Sequence, residues 1–330
     1  MKNIAELNSF TAFLGNNPMY VQGAGGNCSI KLDNELVIKS SGSKMSDALN
    51  KNIFIKIPNK ILNSAISKLN QDINIFDKIF LDMPIRPSIE TGLHALMPHK
   101  YVFHLHEINV LSIVVTHEAK SIFLNKLQGL KWKYINYYKP GSELIFNINK
   151  KCKNQKFDIL ILENHGVVIG GESILQISNL LEDLVKRIKI EPSTNHKFNN
   201  QKLDFYAEKL KLRKPKYEES NSIAMTESKI RISTNGSMYP DHIVFLGKSA
   251  ELFNIQNNQV KLSNSYLKIL PGVGVLLDPR ARSGAEEMLL CLSLVLSRIQ
   301  SKSTIKYLTK IEENQISNWE AEKYRIRLDK

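Results

Sequence analysis

The chain has 330 residues, of which 42% are hydrophobic, and it carries a formal net charge of +13 at pH 7. This length and apolar content predict a buried core, with one main domain and something smaller beside it. The sequence has no apolar run long enough to cross a membrane, and it starts as an amphipathic helix rather than a signal peptide. Its three cysteines lack the spacing of a disulfide framework. We therefore expect a globular cytoplasmic protein without a membrane partner.

The positive charge raises the question of a nucleic-acid partner. The charge is mostly lysine and is scattered through a sequence that is also rich in asparagine and isoleucine. The sequence shows no helix-turn-helix, zinc-finger or RNA-binding aromatic block. We expect no nucleic-acid partner, because a generally positive surface also attracts small acidic molecules.

Strands and helices alternate in the N-terminal part of the chain, residues 1–190. The predicted elements are a helix at 3–14, hairpin strands at 28–32 and 35–40, a strand at 53–57, an irregular stretch at 58–85, a helix at 88–97, a strand around 101–105, helices at 108–116 and 118–129, a strand at 132–138, a helix at 142–150, a strand at 158–162, a turn at 170–171 and a helix at 174–190. This pattern favours the mixed α/β (α+β) class, either α+β or a three-layer α/β/α sandwich whose central sheet is mainly antiparallel.

A polar segment, Glu191-Pro192-Ser193-Thr194-Asn195, predicts a boundary after residue 190. The C-terminal part, residues 191–330, is expected to be a smaller α/β domain. Its predicted elements are a possible helix within 197–219, short strands at 243–246, 266–270 and 273–277, an apolar helix at 284–299 and a terminal helix at 318–324 that would dock on a partner subunit. His242 could reach an active site, although a histidine at the start of a strand is more often structural.

Two histidines, His104 and His106, follow each other at a spacing of two along a strongly apolar strand. Side chains alternate across a strand, so both imidazoles point to the same face. His165 comes just after another apolar run, and if these two strands pair, three imidazoles converge on one divalent cation. Three protein ligands with an open position are typical of a catalytic metal site. Taken alone, however, such a pair is more often two unrelated core or surface histidines.

Glu90 lies in the first turn of the predicted helix at 88–97, four residues before His94. The helix dipole favours a carboxylate there, and the two side chains share a helix face. By themselves they read as a capping carboxylate and a surface pair. Beside a metal, Glu90 would instead be a base that moves a proton.

Four blocks of the sequence, in order, resemble the class II aldolase/adducin family of zinc-dependent sugar-phosphate aldolases. The blocks are Gly25-Gly26-Asn27-Cys28-Ser29, Ile38-Lys39-Ser40-Ser41-Gly42, Ser88-Ile89-Glu90 with His94, and His104-x-His106 with Asn164-His165-Gly166. The likeness covers residues 1–190. Within the family, Arg86-Pro87-Ser88-Ile89-Glu90 and Tyr239-Pro240-Asp241-His242 are most similar to the aldolase-like domain of the bifunctional rhamnulose-phosphate aldolase/dehydrogenases.

The resemblance implies a role for each matched position. His104, His106 and His165 would hold a divalent metal, with Zn²⁺ expected first and Mn²⁺, Co²⁺ or Fe²⁺ as alternatives, and Glu90 would be the acid/base. The substrate oxygens and a phosphate would lie against Gly26, Asn27, Ser41, Gly42 and Ser88. Ile89 stands where the family often has a second serine, and Lys44 is the candidate for a replacement charge. Without that context, Lys44 reads as a solvated loop lysine.

The activity implied by the resemblance is that of a lyase, a metal-dependent aldolase. It would cleave or form a carbon–carbon bond of a ketose phosphate or related acidic sugar through a metal-stabilised enediolate. The implied assembly is a homotetramer whose proton donor is a tyrosine of a neighbouring subunit, with Tyr134, Tyr137 and Tyr138 as candidates by proximity. A sugar-phosphate dehydratase or epimerase on the same scaffold is an alternative, although the epimerases carry Asp in place of Glu90. A non-catalytic, adducin-like structural protein is another, against which three converging histidines argue.

Overall fold

The computed structural model describes residues 2–193, 198–253, 265–282, 284–300 and 302–317. The strands are β1 Asn27–Lys31, β2 Glu35–Lys39, β3 Phe54–Pro58, β4 Tyr101–Leu105, β5 Trp132–Ile135, β6 Ile159–Leu162, β7 Gly166–Gly171, β8 Glu251–Leu252, β9 Leu267–Leu270 and β10 Gly274–Leu277. The α-helices are α1 Lys2–Gly15, α2 Asn59–Lys68, α3 Ile75–Phe80, α4 Thr91–Leu96, α5 Ile108–Val114, α6 Ala119–Lys126, α7 Ser142–Cys152, α8 Ile174–Ile188, α9 Asn200–Leu210, α10 Glu227–Asn235, α11 Pro240–Leu246, α12 Ala285–Leu296 and α13 Lys310–Ser317. Two 3₁₀ helices are Met45–Leu49 and Glu218–Met225. The terminal helix predicted at 318–324 lies outside the described residues.

Strands β1 to β7 form one seven-stranded sheet in the order β3-β2-β1-β4-β7-β6-β5. All neighbouring pairs are antiparallel except β5 and β6, which are parallel. The predicted, mainly antiparallel sheet is confirmed. Strand β4 lies in the middle, with His104 opposite Asn27 of β1 on one side and Val168 of β7 on the other. The sheet therefore brings residues from three separate segments to one point.

Each face of this sheet is covered by helices. Tyr101 and Phe103 of β4 contribute to a core formed with α1, α5, α6 and α8, whereas Val102 contributes to a second core formed with α2, α3, α4 and α7. Because side chains alternate along a strand, His104 lies on the same face as Val102. The predicted three-layer α/β/α sandwich is confirmed, and β4 directs its histidine towards the α4 layer.

Two local predictions in the N-terminal part are wrong. The stretch 58–85 is not irregular, because it forms α2 and α3, which bury apolar side chains against the sheet. The expected turn at 170–171 is instead the end of β7. A Cβ placed on Gly170 would lie 2.1 Å from His99 Nδ1, so this glycine allows a close side-chain approach rather than a turn.

A third prediction, a strand at 243–246, is also wrong. These residues belong to helix α11, with Pro240 at the helix start and Asp241 in the first turn. Proline at the first helical position and an acidic first turn both favour a helix. A run of four apolar residues does not distinguish strand from helix by periodicity.

The C-terminal part packs directly against the N-terminal part. Strands β8, β9 and β10 form a small three-stranded sheet, and residues of α11 and α12 belong to the same core as those of α1, α5 and α8. His117 N donates to Thr304 O at 2.9 Å and Lys306 N donates to Val115 O at 2.8 Å. The division into two domains after residue 190 stays a prediction. In the ranges that the structure describes, no helix combines the length and apolar character needed to cross a membrane.

Candidate metal centre

Three imidazoles meet at the end of β4. His104 is in the strand, His106 follows it, and His165 lies in the turn between β6 and β7. Each histidine offers one ring nitrogen as a ligand atom, and these three nitrogens lie within 4.8 Å of one another. All three residues are buried. The structure thus brings the three predicted ligands together. The strand pairing differs from the prediction, because β7, which follows His165, separates β4 from β6.

The position of His165 is fixed by the residues on either side of it. Asn164 adopts a left-handed backbone conformation with φ of 52°, and its Nδ2 donates to Met238 O and to Lys306 O, both at 2.7 Å. Gly166 also has a positive φ, and a Cβ placed there would lie 2.4 Å from Leu105 O. Asn tolerates the left-handed region better than most residues, and glycine allows the close backbone approach. The Asn-His-Gly sequence therefore forms a tight turn that is tied to the C-terminal part.

Glu90 lies beside the imidazoles, at the cap position directly before α4 rather than in its first turn. Its Oε2 lies 2.6 Å from His104 Nδ1, and its Oε1 lies 3.6 Å from His165 Nε2. Asn27 Nδ2 donates to Glu90 Oε2 at 2.8 Å. Burial raises the pKa of Glu90, but the neighbouring His104 and His165 and the hydrogen bonds outweigh burial and hold this pKa below its usual range. Glu90 is therefore an ionised carboxylate within a buried site.

His94, which by itself reads as a surface residue, is fully buried and supports Glu90 indirectly. Its Nδ1 lies 2.7 Å from Ser29 Oγ, and its Nε2 pairs with Asn27 Oδ1. Burial lowers the pKa of His94 to about 3, so the ring is neutral. Since Asn27 Oδ1 can only accept, Nε2 carries the proton and Nδ1 accepts from Ser29. His94 thus orients the Asn27 amide that donates to Glu90, and the Glu-x-x-x-His spacing is the sequence signal for this connection.

The histidine nitrogens fit a divalent cation. Within the described part of the chain, His104 Nε2 and His165 Nδ1 are buried and have no hydrogen-bond partner. Burial lowers the pKa of His165 to about 3, although Glu90 partly opposes this effect. Neutral imidazoles are ligands for zinc and for several other transition metals, whereas buried ring nitrogens without partners are costly. The three histidines would therefore hold such an ion, with Glu90 alongside.

The histidines and Glu90 line a cavity together with the loop that precedes β1 and the loop that follows β2. The predicted substrate-binding residues that line this cavity are Gly26, Asn27, Ser41, Gly42 and Ser88. Ser88 N donates to Lys39 O at 3.0 Å, and Ser41 N donates to Arg86 O at 2.9 Å. These hydrogen bonds connect the segment before Glu90 to the end of β2. Ser41 and Ser88, from the two connected segments, therefore line the same cavity.

The lysine of the cavity is Lys39 and not Lys44. Lys44 lies outside the cavity lining, and its Nζ is 3.3 Å from Glu287 Oε1. Lys39, the last residue of β2, is 2% exposed and lines the cavity, and its Nζ donates to Ser43 O at 2.6 Å. Among the described residues, no other lysine or arginine lines it. The sequence shows that Lys39 ends an apolar strand just before Ser40-Ser41-Gly42, but it does not show that the ammonium lies beside a cavity.

The C-terminal part also contributes to the cavity, through Asp241 at the start of α11. Asp241 lines the cavity, and its Oδ2 lies 3.3 Å from His106 Nδ1. The neighbouring His242 is fully buried outside the cavity lining, and burial lowers its pKa to about 4. The structure therefore does not support the idea that His242 reaches the active site. The neighbouring Asp241 lines the cavity instead.

The tyrosines considered as proton donors lie away from the cavity of their own chain. Tyr134 OH donates to Glu163 Oε1 at 3.1 Å, and Tyr137 N donates to Glu163 Oε2 at 2.9 Å. Burial raises the pKa of the Tyr134 hydroxyl, and Glu163 raises it further.

Cys28, in the first motif, is buried and its Sγ is hydrogen-bonded with Thr11 Oγ1 at 3.0 Å. Burial raises the pKa of its thiol to about 12. It is therefore a packing residue and not a nucleophile.

Comparison with known proteins places this site in a family. The family described as Class II Aldolase and Adducin N-terminal domain matches residues 11–191. An L-fuculose phosphate aldolase of Methanocaldococcus jannaschii is 26% identical over 184 residues, which are 52% of this chain and 86% of that protein. The uncharacterized oxidoreductase YuxG of Bacillus subtilis is 35% identical over 89 residues, 27% of this chain. The chain matches only 13% of the length of YuxG.

Among solved structures, the chain matches one described as the N-terminal class II aldolase domain of a conserved protein from Thermoplasma acidophilum. It is 24% identical, with a TM-score of 0.47, and the match covers 57% of this chain and 92% of that chain. The family match spans more than half of the chain and includes Glu90 and all three converging histidines. The chain therefore belongs to the class II aldolase and adducin family.

Proposed function

We propose that this protein is a metal-dependent class II aldolase that reversibly cleaves a ketose phosphate or a related acidic sugar. The observation that carries the proposal is the convergence of His104, His106 and His165 beside the buried, ionised Glu90 in one cavity. Membership of the family supports the aldolase class. The relative named an L-fuculose phosphate aldolase supports a sugar phosphate as the type of substrate.

The proposal assigns separate tasks to the histidines and to Glu90. The three imidazoles would hold a divalent cation, with Zn²⁺ expected first. When bound, the cation supplies Lewis-acid stabilisation of negative charge on a substrate oxygen. Glu90 accepts a proton from the carbon beside the ketone in the condensation direction and returns it in the cleavage direction. Its hydrogen bond from Asn27, 2.8 Å long, holds the accepting carboxylate in place.

Lys39 is proposed to bind the acidic group of the substrate. Among the described residues, Lys39 is the lysine or arginine that lines the cavity, and Ser41 and Gly42 line it as well. Ile89 stands where the family often has a second serine, so the site lacks one hydroxyl donor for the substrate. In this proposal, the buried Lys39 ammonium replaces that donor. Positive charge and backbone amides near glycine are suited to phosphate oxygens.

The test is a product assay with ketose phosphates and added Zn²⁺, Mn²⁺ or Co²⁺. We expect two carbon fragments, an aldehyde that can be trapped and a ketone, with turnover lost after chelation and restored by metal. One product lighter by a water would identify a dehydratase, and a product of unchanged mass with altered stereochemistry would identify an epimerase. Full turnover in metal-free protein would refute the metal dependence. Failure to bind any divalent metal, together with no turnover, would favour an adducin-like structural role.

A further inference from the structure

A carboxylate from the C-terminal part of the chain faces one of the three histidines. Asp241 lies outside the family-matched residues 11–191, in helix α11. It is 8% exposed, and its Oδ2 is 3.3 Å from His106 Nδ1. If Asp241 holds Nδ1, the other ring nitrogen of His106 is the one that a metal would contact. Family membership assigns nothing to this residue, since the match ends well before it.

Gly25 provides the space in which this contact forms. A Cβ placed on Gly25 would lie 2.9 Å from His106 Nδ1 and 3.1 Å from Asp241 Oδ2. Contacts of this length would force the neighbouring atoms to move. The positive-φ glycines of the chain include Gly23 and Gly26 but not Gly25. What Gly25 contributes is therefore room for the imidazole and the carboxylate, rather than an unusual backbone conformation.

The residues just before Asp241 are anchored by two contacts. Tyr239 is buried, and its hydroxyl donates to Cys291 Sγ of α12 at 3.6 Å. Asn164 Nδ2 donates to Met238 O at 2.7 Å, which links this segment to the turn that carries His165. The hydrogen bond between Asn164 and Met238 therefore links the turn that carries His165 to the segment that carries Asp241. A carboxylate held in this way is positioned before any ligand binds.

We propose that Asp241 is a positioning residue that holds the Nδ1 side of His106 and so presents the opposite nitrogen to the metal. A carboxylate behind a ligating histidine fixes the tautomer and the orientation of the ring and strengthens it as a ligand. Glu90 contacts Nδ1 of His104 in the same way, at 2.6 Å. Each part of the chain thus supplies one carboxylate to one histidine. This inference rests on the proposed metal site.

The test measures Zn²⁺ affinity of the full chain by competition with a chromogenic chelator. Asp241→Asn is expected to weaken Zn²⁺ binding by about 10- to 100-fold. The matched control is Asp158→Asn, because Asp158 Oδ1 forms a similar pair with His99 Nε2, at 2.9 Å, outside the cavity lining. The control should bind Zn²⁺ like the wild type. Gly25→Ala provides a second variant, which should weaken binding in the same direction because the added Cβ displaces the contact.

A double-mutant cycle separates positioning from a structural effect. If Asp241 acts through His106, Asp241→Asn should cause no further loss of Zn²⁺ affinity in a His106→Cys background, which keeps a zinc ligand at this position but removes Nδ1. An equal loss in both backgrounds would overturn the positioning role. Wild-type affinity in both Asp241→Asn and Gly25→Ala would also overturn it, while leaving the aldolase proposal intact. A wild-type chain that binds no divalent metal would overturn both the metal site and this inference.

Discussion

The N-terminal and C-terminal parts of the chain contribute to one centre in different ways. The N-terminal part provides the groups that would touch metal or substrate directly, including Glu90, His104 and His165. The C-terminal part provides the Asp241 carboxylate, which contacts His106, and the backbone oxygens of Met238 and Lys306, which accept from Asn164 beside His165. Under the proposed function, the groups that act on substrate are carried by the N-terminal sheet, whereas the orientation of the histidines depends on the packing of the C-terminal part. Changes in the first part should abolish function, and changes in the second should weaken binding or stability.

The largest effect is expected for His165→Ala. Removing one of three imidazoles leaves too few ligands for tight binding, so we expect stoichiometric metal and turnover to be lost together. Elemental analysis of the purified protein and the product assay measure the two quantities. The control is His99→Ala, which removes a histidine paired with Asp158 outside the cavity lining and should retain the metal. Retention of full metal content by His165→Ala would contradict the three-histidine site.

A large loss of rate without loss of metal is expected for Glu90→Gln. General acid–base groups contribute typically about 10²- to 10⁴-fold, so kcat should fall by about that factor. Gln keeps the size of the side chain and can still contact Asn27, and all three histidines remain, so the metal content should stay stoichiometric when Zn²⁺ is in excess. The Zn²⁺ affinity should fall, because the carboxylate beside His104 Nδ1 is lost. Glu90→Asp retains a carboxylate and should recover part of the rate. An unchanged kcat in Glu90→Gln would show that the proton is moved by another group.

A smaller effect, on substrate binding, is expected for Lys39→Met. A hydrogen bond to a charged group contributes about 1.5–3 kcal/mol, which corresponds to a rise in KM of roughly 10- to 100-fold for a phosphorylated substrate. The matched control is Lys44→Met. Lys44 pairs with Glu287 of the C-terminal part, and its side chain is 44% exposed, so its loss should change KM little. A larger effect of Lys44→Met than of Lys39→Met would move the anion site to the boundary between the two parts.

The same contrast explains how much of the molecule the sequence predicts. Strand alternation predicts that His104 and His106 share a face, which is a property of local pattern. That Glu90 and His165 join them, and that the sheet belongs to a three-layer sandwich, was expected from the resemblance of the ordered motifs to the family. The contact between Asp241 and His106 was not predictable, since it depends on how α11 packs against distant residues. Lys39 was missed for a similar reason, because a strand-end lysine does not reveal whether its ammonium faces a cavity.

The last comparison concerns the turn by which the C-terminal part holds His165. Asn164→Gly keeps a residue that accepts φ of 52° but removes two hydrogen bonds, one buried and one partly buried, so the free energy of unfolding should fall by about 2 kcal/mol. Asn154→Gly is the matched control, since Asn154 has φ of 60° and is exposed, and its free energy of unfolding should change by less than about 0.5 kcal/mol. Both variants add the same backbone freedom to the unfolded chain, so the difference between them isolates the two hydrogen bonds. Urea unfolding measures both, and equal values would show that the C-terminal part does not hold this turn.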